Sequence, residues 1–292
     1  MLSPYYSFIE DNLQIKNKDA QVVPFILWNV QDKYLIELTN HYGKNLTGVR
    51  DIILKARKEG FSSLILAIFA TDFFVSDRPI GSITVADNRA ETQKLLERGK
   101  FFIECAAQKH NRTLDDICES VTSSYLKSKV NGAEWFIGTA GSKVALRTET
   151  IQNAHFSEAA HFPDTDIITA RETIEGASQM VDMGKGRIFI ESTANGYGNY
   201  FQTLEEKAYK GSSQFRSCFF SAEELYSREW LEKKAKEFTT HEMYKQEYPS
   251  TREEAYMSSG SKFFDVGGIK HLQEQAREPA KVGTINSYGE IM

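Results

Sequence analysis

Three apolar, β-branched-rich runs in this chain each stop abruptly at small and polar residues: VRDIILKARKEGFSSLI (49–65), TIQNAHFSEAAHF (150–162) and GRIFIESTANGYG (186–198). Other runs alternate with helical stretches. GSITVADN (81–88) precedes RAETQKLLERGKFFIECAAQ (89–108), and YGNYFQTLEEKAYK (197–210) follows the third run. This alternation predicts a mainly parallel sheet covered by helices, with NGAEWFIGTA (131–140) as one arm of a hairpin and a helix over 167–181. In an open α/β sheet, ligands sit at the carboxyl ends of adjacent strands. The residues that interrupt the three runs are therefore where chemistry is expected.

The bulk properties narrow the class. At 292 residues there is room for one large α/β domain and a small appendage. The net charge of −5 excludes a global basic signature of nucleic-acid binding, so any DNA contact needs a local patch or an assembly. Arg89, Arg98 and Lys100 are surface-helix candidates for such a patch. Cys105, Cys118 and Cys218 lack metal-type spacing, and their odd number argues against a disulfide framework, which points to a reducing cytoplasm. The opening MLSPYYSFIEDNLQIKNKD does not read as a signal peptide. The longest apolar stretch, SLILAIFATDFFV (63–75), is too short to span a bilayer and carries Asp72, so no membrane partner is expected. Composition divides the chain into an N-terminal arm (1–23), a core (24–220) and a charged, helical lid or linker (221–292).

Each strand end offers a different chemical group. A phosphate-binding loop needs a tight strand-to-helix turn, a cation and a hydroxyl for Mg²⁺. In the segment 56–63, Gly60 supplies the turn and Ser62 the hydroxyl, but Phe61 stands where the standard loop has lysine. The charge is then expected from Arg57 or Lys58. An ordinary surface turn capped by Ser62 accounts for the same letters. In a nucleotide-hydrolysing site of this kind the second strand would end in two adjacent acids, one to order the Mg²⁺ shell and one to polarise water. The chain has Ser157-Glu158, which keeps the base but not its acidic neighbour. His155, Glu158 and His161 offer metal-ligand types, yet their spacing matches no zinc-protease motif and only half of a di-iron site. At the third, Ser192-Thr193-Ala194-Asn195 places short polar side chains where they can sense a terminal phosphate, or where they cap the next helix. Gln31, after Phe25 and Trp28, is placed to read an adenine edge or to sit solvated on a helix. Arg147 fits either an arginine finger for a neighbouring subunit or a surface position.

Taken together, KARKEGFSS, TVADNRAETQKLLE, HFSEAAHF, IFIESTANGYGNYF and YPSTREEAYMSSGSKFF resemble the large terminase subunit of tailed bacteriophages and prophages. That subunit is an ATP-driven motor that packages DNA into capsids. The resemblance runs over about residues 24–266, and its closing segment matches the end of the family's ATPase region.

The resemblance implies a P-loop ATPase fold of the additional-strand type, with ATP and Mg²⁺ as cofactors. It implies nucleotide contacts from Gln31, Arg57, Lys58, Gly60, Phe61, Ser62 and Ser63, and Mg²⁺ held by Ser62 and Ser157. Glu158 becomes the catalytic glutamate and Arg147 the finger acting in trans. Ser192, Thr193, Ala194 and Asn195 form the segment that couples hydrolysis to movement. The implied partners are double-stranded DNA, the portal protein, the small terminase subunit and further copies of the chain in a ring. The setting is the host cytoplasm, with docking on the procapsid. The family's C-terminal nuclease domain is not expected here, because the chain ends at GTINSYGEIM with no cluster of acidic strand ends. Phe61 and Ser157 leave two rivals open: a non-hydrolysing scaffold that binds DNA or portal, and another P-loop translocase or helicase.

Overall fold

The computed structural model describes residues 3–17, 19–141, 151–256 and 275. Residues Met1–Ser258 and Ser259–Met292 cluster as separate units, and the first contains all the elements below. The chain opens with helix α1 (Pro4–Asn12), capped by Ser3, and an antiparallel ribbon of β1 (Gln14–Lys16) and β2 (Val22–Pro24). This arm is not a solvated tail, because Tyr5, Ile9 and Leu13 are buried in the main core.

The main sheet forms from the runs that the sequence marks out. In chain order come α2 (Asn29–Tyr42), β3 (Arg50–Lys55), α3 (Phe61–Val75), β4 (Gly81–Ala86), α4 (Arg89–Lys109), α5 (Leu114–Ile117), β5 (Cys118–Val121), β6 (Tyr125–Ser128) and β7 (Glu134–Thr139). After them come β8 (Asn153–Ser157), α6 (Ala170–Gln179), β9 (Arg187–Ser192), α7 (Tyr200–Tyr209) and β10 (Arg216–Phe220). The strand order is β10-β3-β9-β8-β4-β7-β6-β5. The six strands from β10 to β7 run parallel, and β7-β6-β5 continue antiparallel. The expected hairpin arm is thus β7, paired with β6. The four-residue strands β5 and β6 and the edge strand β10 have no clear signature in the sequence, since their short runs carry polar or edge-facing residues.

Helices cover both faces. Successive residues of a strand point to opposite sides. Ile53 accordingly joins the core shared with α1 to α4, while Ile52 and Leu54 join the core shared with α6 and α7. The apolar stretch 63–75 lies in α3, which is buried from Ser63 to Phe73 and is apolar all round because it is enclosed. Among the described residues no helix is long and apolar enough to cross a membrane. Helix α4 approaches β7 through Gly99. A Cβ there would lie 2.9 Å from the Trp135 ring, and overpacking of this kind costs about 1–3 kcal/mol.

After β10 come α8 (Arg228–Ala235), α9 (His241–Glu247) and α10 (Arg252–Ala255). They enclose a small satellite cluster of Ala222, Leu231, Tyr244 and Tyr248 with Ala56. The YPSTREEAY segment anchors this region to the sheet edge. Arg252 pairs with the buried Glu205 and lies over the Tyr209 and Phe219 rings, and Tyr256 Oη donates to Glu205 at 3.2 Å.

Candidate active site

Strand β3 ends at Lys55, and residues 56–60 turn the chain into α3. Two residues of this turn are left-handed, Lys58 (φ 62°) and Gly60 (φ 77°). Such residues curl a backbone into an anion-binding concavity, to which the amino end of a fifteen-residue helix adds partial positive charge. Gly60 is required twice over, since a Cβ there would also lie 2.5 Å from Gln31 Nε2. Gln31 is buried, with both ends of its amide hydrogen-bonded. Its Nε2 donates to the Gly60 carbonyl (2.9 Å), and its Oε1 accepts from the Trp28 N–H (3.0 Å). It therefore braces the loop against the start of α2. Of the two aromatics preceding it, Phe25 is buried and Trp28 is 48% exposed beside Gly60.

The side chains of the loop diverge. Phe61 enters the core against Tyr34 and Phe220, with ring centroids 5.4 and 4.7 Å away. Lys58 is exposed. Ser63 accepts from Arg98 Nη1 at 3.1 Å, so Arg98 turns inward from α4 and not outward as a DNA-facing residue. Arg57 does not meet Glu158. Its guanidinium pairs with Glu247 at 3.1 Å on the solvent side, and its N–H donates to the Glu247 carbonyl at 2.8 Å. The Tyr226 hydroxyl donates to the Arg57 carbonyl at 3.0 Å, so the α8–α9 region grips the outside of the loop.

The cation that faces Glu158 is Lys55. Its Nζ lies 2.9 Å from Glu158 Oε1 and 3.2 Å from Glu191 Oε2, and its side chain is almost wholly buried. Burial favours loss of its proton, but the two carboxylates outweigh that and raise its pKa. A buried lysine ending an otherwise enclosed strand is itself a signal, because lysine is almost never buried unpaired. Neither Lys55 nor Glu191 figures among the site residues expected from the sequence. Glu59, also in the loop, is fully buried with neither carboxylate oxygen hydrogen-bonded. Burial, opposed by Lys55, pushes its pKa up to about 9.

The second and third strand ends meet directly, since β9 runs between β3 and β8. Glu158 sits immediately after β8 in the left-handed region (φ 56°). This costs a non-glycine residue about 1–2 kcal/mol and is the kind of strain that collects at functional sites. Its Oε2 accepts from the Thr193 N–H (3.1 Å), with the hydroxyls of Ser192 and Thr193 at 3.4 and 3.5 Å. Ser192 Oγ in turn accepts from the Ala160 N–H, and Asn195 Nδ2 donates to the Ala160 carbonyl, both at 3.1 Å. Ala194 is buried, and the cap of α7 is Asn199, not Asn195.

The two hydroxyls expected to hold Mg²⁺ also converge. Ser62 Oγ and Ser157 Oγ are 3.4 Å apart, and each donates to Glu191 Oε1 at 2.7 Å. Oxygen donors of this type suit a small hard cation. The imidazoles part company: His155 Nε2 lies 3.4 Å from Glu191 Oε1, and His161 Nε2 lies 3.3 Å from Thr193 Oγ1. Among the described residues no group of three or more His, Cys, Asp or Glu side chains is arranged to hold a metal by itself. Arg147 lies outside the described residues.

No family model matches the chain, and no curated protein matches it. Solved structures do. The ATPase domain of the Thermus phage P74-26 large terminase superposes with a TM-score of 0.53 at 16% identity, over 68% of this chain and 86% of that one. The HK97 bacteriophage large terminase gives 0.58 at 15% identity, over 80% of this chain and 51% of that one. The large terminase of a thermophilic bacteriophage, in complex with ATP-γ-S, gives 0.52 at 11% identity, over 75% of this chain and 51% of that one. The chain thus spans about half the length of the last two proteins. Its central, mostly parallel sheet between two helical layers has the P-loop fold of phage large-terminase ATPase domains.

Proposed function

We propose that this chain is the ATP-hydrolysing motor domain of a terminase large subunit, driving double-stranded DNA into a procapsid. One observation carries the reading: a buried lysine, a strained glutamate and a Ser-Thr segment from three adjacent strands form one hydrogen-bonded cluster. The lysine missing at Phe61 has a substitute in Lys55, five residues before the loop glycine.

The chemistry follows from the geometry. Lys55 exchanges the Glu158 carboxylate for the β- and γ-phosphates, and the loop amides with the amino end of α3 bind the remaining charge. On the outer side of the loop Lys58 adds long-range positive potential, and Arg57 would do so once released from Glu247. Trp28 supplies an aromatic face for adenine beside the Gln31-braced loop. Ser62 and Ser157 would hold Mg²⁺, which when bound neutralises phosphate charge. Released from Lys55, Glu158 orients and deprotonates the attacking water. Thr193 and Ser192, hydrogen-bonded to that same carboxylate, sense its change of partner and pass it to α7. Arg147 of a neighbouring copy completes the site within a ring on the portal, with the small subunit as a further partner and the host cytoplasm as the setting.

Because the finger comes from a neighbour, phosphate release from Mg²⁺-ATP should rise per molecule as protein concentration increases, and rise further with double-stranded DNA. A finger of this kind is worth about 10³–10⁵ in rate. Release that stays at background at every concentration, with DNA present, would leave only the non-hydrolysing scaffold.

A further inference from the structure

Strand β9 brings a third carboxylate into the corner where the sequence has a serine in place of an acid. In the parallel register Glu191 lies opposite both Ile53 of β3 and Ser157 of β8, so one residue of β9 stands between the loop strand and the glutamate strand. Its side chain is fully buried. Burial opposes its ionisation, but Lys55, His155 and Ser62 overcome that and hold the carboxyl well below the usual range.

A partner for Lys55 alone would not need this arrangement, since Glu158 already lies 2.9 Å from the ammonium. Oε1 instead collects the hydroxyl protons of Ser62 and Ser157, at 2.7 Å each, so both serine oxygens turn their lone pairs away from it. Oε2, completely enclosed, faces the Lys55 ammonium at 3.2 Å. Mg²⁺ takes one or two carboxylates together with phosphate oxygens and water, and two neutral hydroxyls alone would offer it no charge.

We infer that Glu191 is the metal-organising carboxylate of this site, forming with Ser62 and Ser157 an all-oxygen recess for Mg²⁺ and replacing the acid absent beside Glu158. The inference rests on the nucleotide-hydrolysing reading. It moves the missing charge to the neighbouring strand, within reach of the same two hydroxyls.

The test is Mn²⁺ affinity, read by electron paramagnetic resonance in the presence of ATP-γ-S, alongside calorimetric ATP-γ-S affinity in EDTA. Glu191→Gln should weaken Mn²⁺ binding about 10–100-fold without lowering the metal-free nucleotide affinity. Adding Ser157→Asp to Glu191→Gln should restore Mn²⁺ binding by returning an acid to the serine position. Ser157→Ala, which keeps the Lys55–Glu191 pair, should weaken Mn²⁺ in the same direction and decides the matter if Glu191→Gln does not fold. Wild-type Mn²⁺ affinity in Glu191→Gln or in Ser157→Ala, or no recovery in the double variant, overturns the inference and leaves the motor reading standing. A wild-type protein that binds no nucleotide, with or without metal, overturns both.

Discussion

The two ends of the central sheet each bury a charged cluster, and the clusters are built in opposite ways. At the amino ends of the strands every guanidinium nitrogen of Arg187 has a partner. It donates to Asn153 Oδ1 (2.7 Å) and Tyr5 Oη (2.8 Å) and pairs with Asp72. Asp72 also accepts from Tyr5 and Asn153, both at 3.0 Å, and Asn153 donates to Ser82 at 2.9 Å. None of these side chains has a buried polar atom without a partner. At the carboxyl ends, both carboxylate oxygens of Glu59 and Nδ1 of His155 lack one, and the left-handed Lys58 and Glu158 lie in the same region. A closed network stabilises a fold and has nothing left to offer. An open one keeps its bonding capacity for a guest and costs stability until the guest arrives.

The largest effect that could break this contrast is at Glu158. Glu158→Gln keeps the shape of the side chain but removes the base we propose, so phosphate release should fall about 10²–10⁴-fold with the thermal midpoint little changed. Equal release from both proteins would remove the catalytic meaning of the open cluster. Next comes Arg187→Met, which strands Asp72 in the core. It should cost about 3–5 kcal/mol in urea denaturation, while the folded fraction still binds nucleotide with wild-type affinity. A variant that stayed stable but lost nucleotide would mean that the closed network is not merely structural.

A pH series sharpens the comparison. Because the pKa of Glu59 is raised to about 9 in the fold, the native state holds a proton that the unfolded chain releases near pH 4. Stability associated with this group is complete below that pH and declines as pH rises towards 9. The slope is at most about 1.4 kcal/mol per pH unit. Glu59→Gln should flatten the pH dependence of the denaturation midpoint between pH 5 and 8, and an unchanged slope would show that the loop carboxyl is already ionised in the fold. Last and smallest is Arg57→Ala. Its pair with Glu247 is half-exposed, so the stability loss should stay below about 1 kcal/mol, whereas Lys55→Ala should abolish nucleotide binding in the same calorimetric assay. Comparable losses of affinity in the two variants would return Arg57 to the centre of the site.

Much of the architecture was legible because it depends on local periodicity. The three interrupted apolar runs became β3, β8 and β9, and the helices between them fall close to the expected positions. That Glu158 and the Ser192–Thr193 pair belong together could also be read, since both follow strands whose ends lie at one edge of a parallel sheet. The choice between Arg57 and Lys55 could not. The two are separated by one residue, yet Lys55 ends β3 against Glu158 and Glu191, whereas Arg57, already in the turn, pairs with Glu247 from the α8–α9 region. Glu191 was hidden for a related reason. It looks like the tail of an apolar run until β9 is known to lie between β3 and β8.

Pattern and spacing alone therefore determined the class of sheet and the glutamate and hydroxyl residues that gather at one end of it. The tertiary structure decided which cation completes the cluster, which carboxylate stands beside the serines, and which face of the loop the α8–α9 region grips. Periodicity records only how a segment meets its own layer. The partner of a buried charge is set by strand order, which emerges only when distant segments pack.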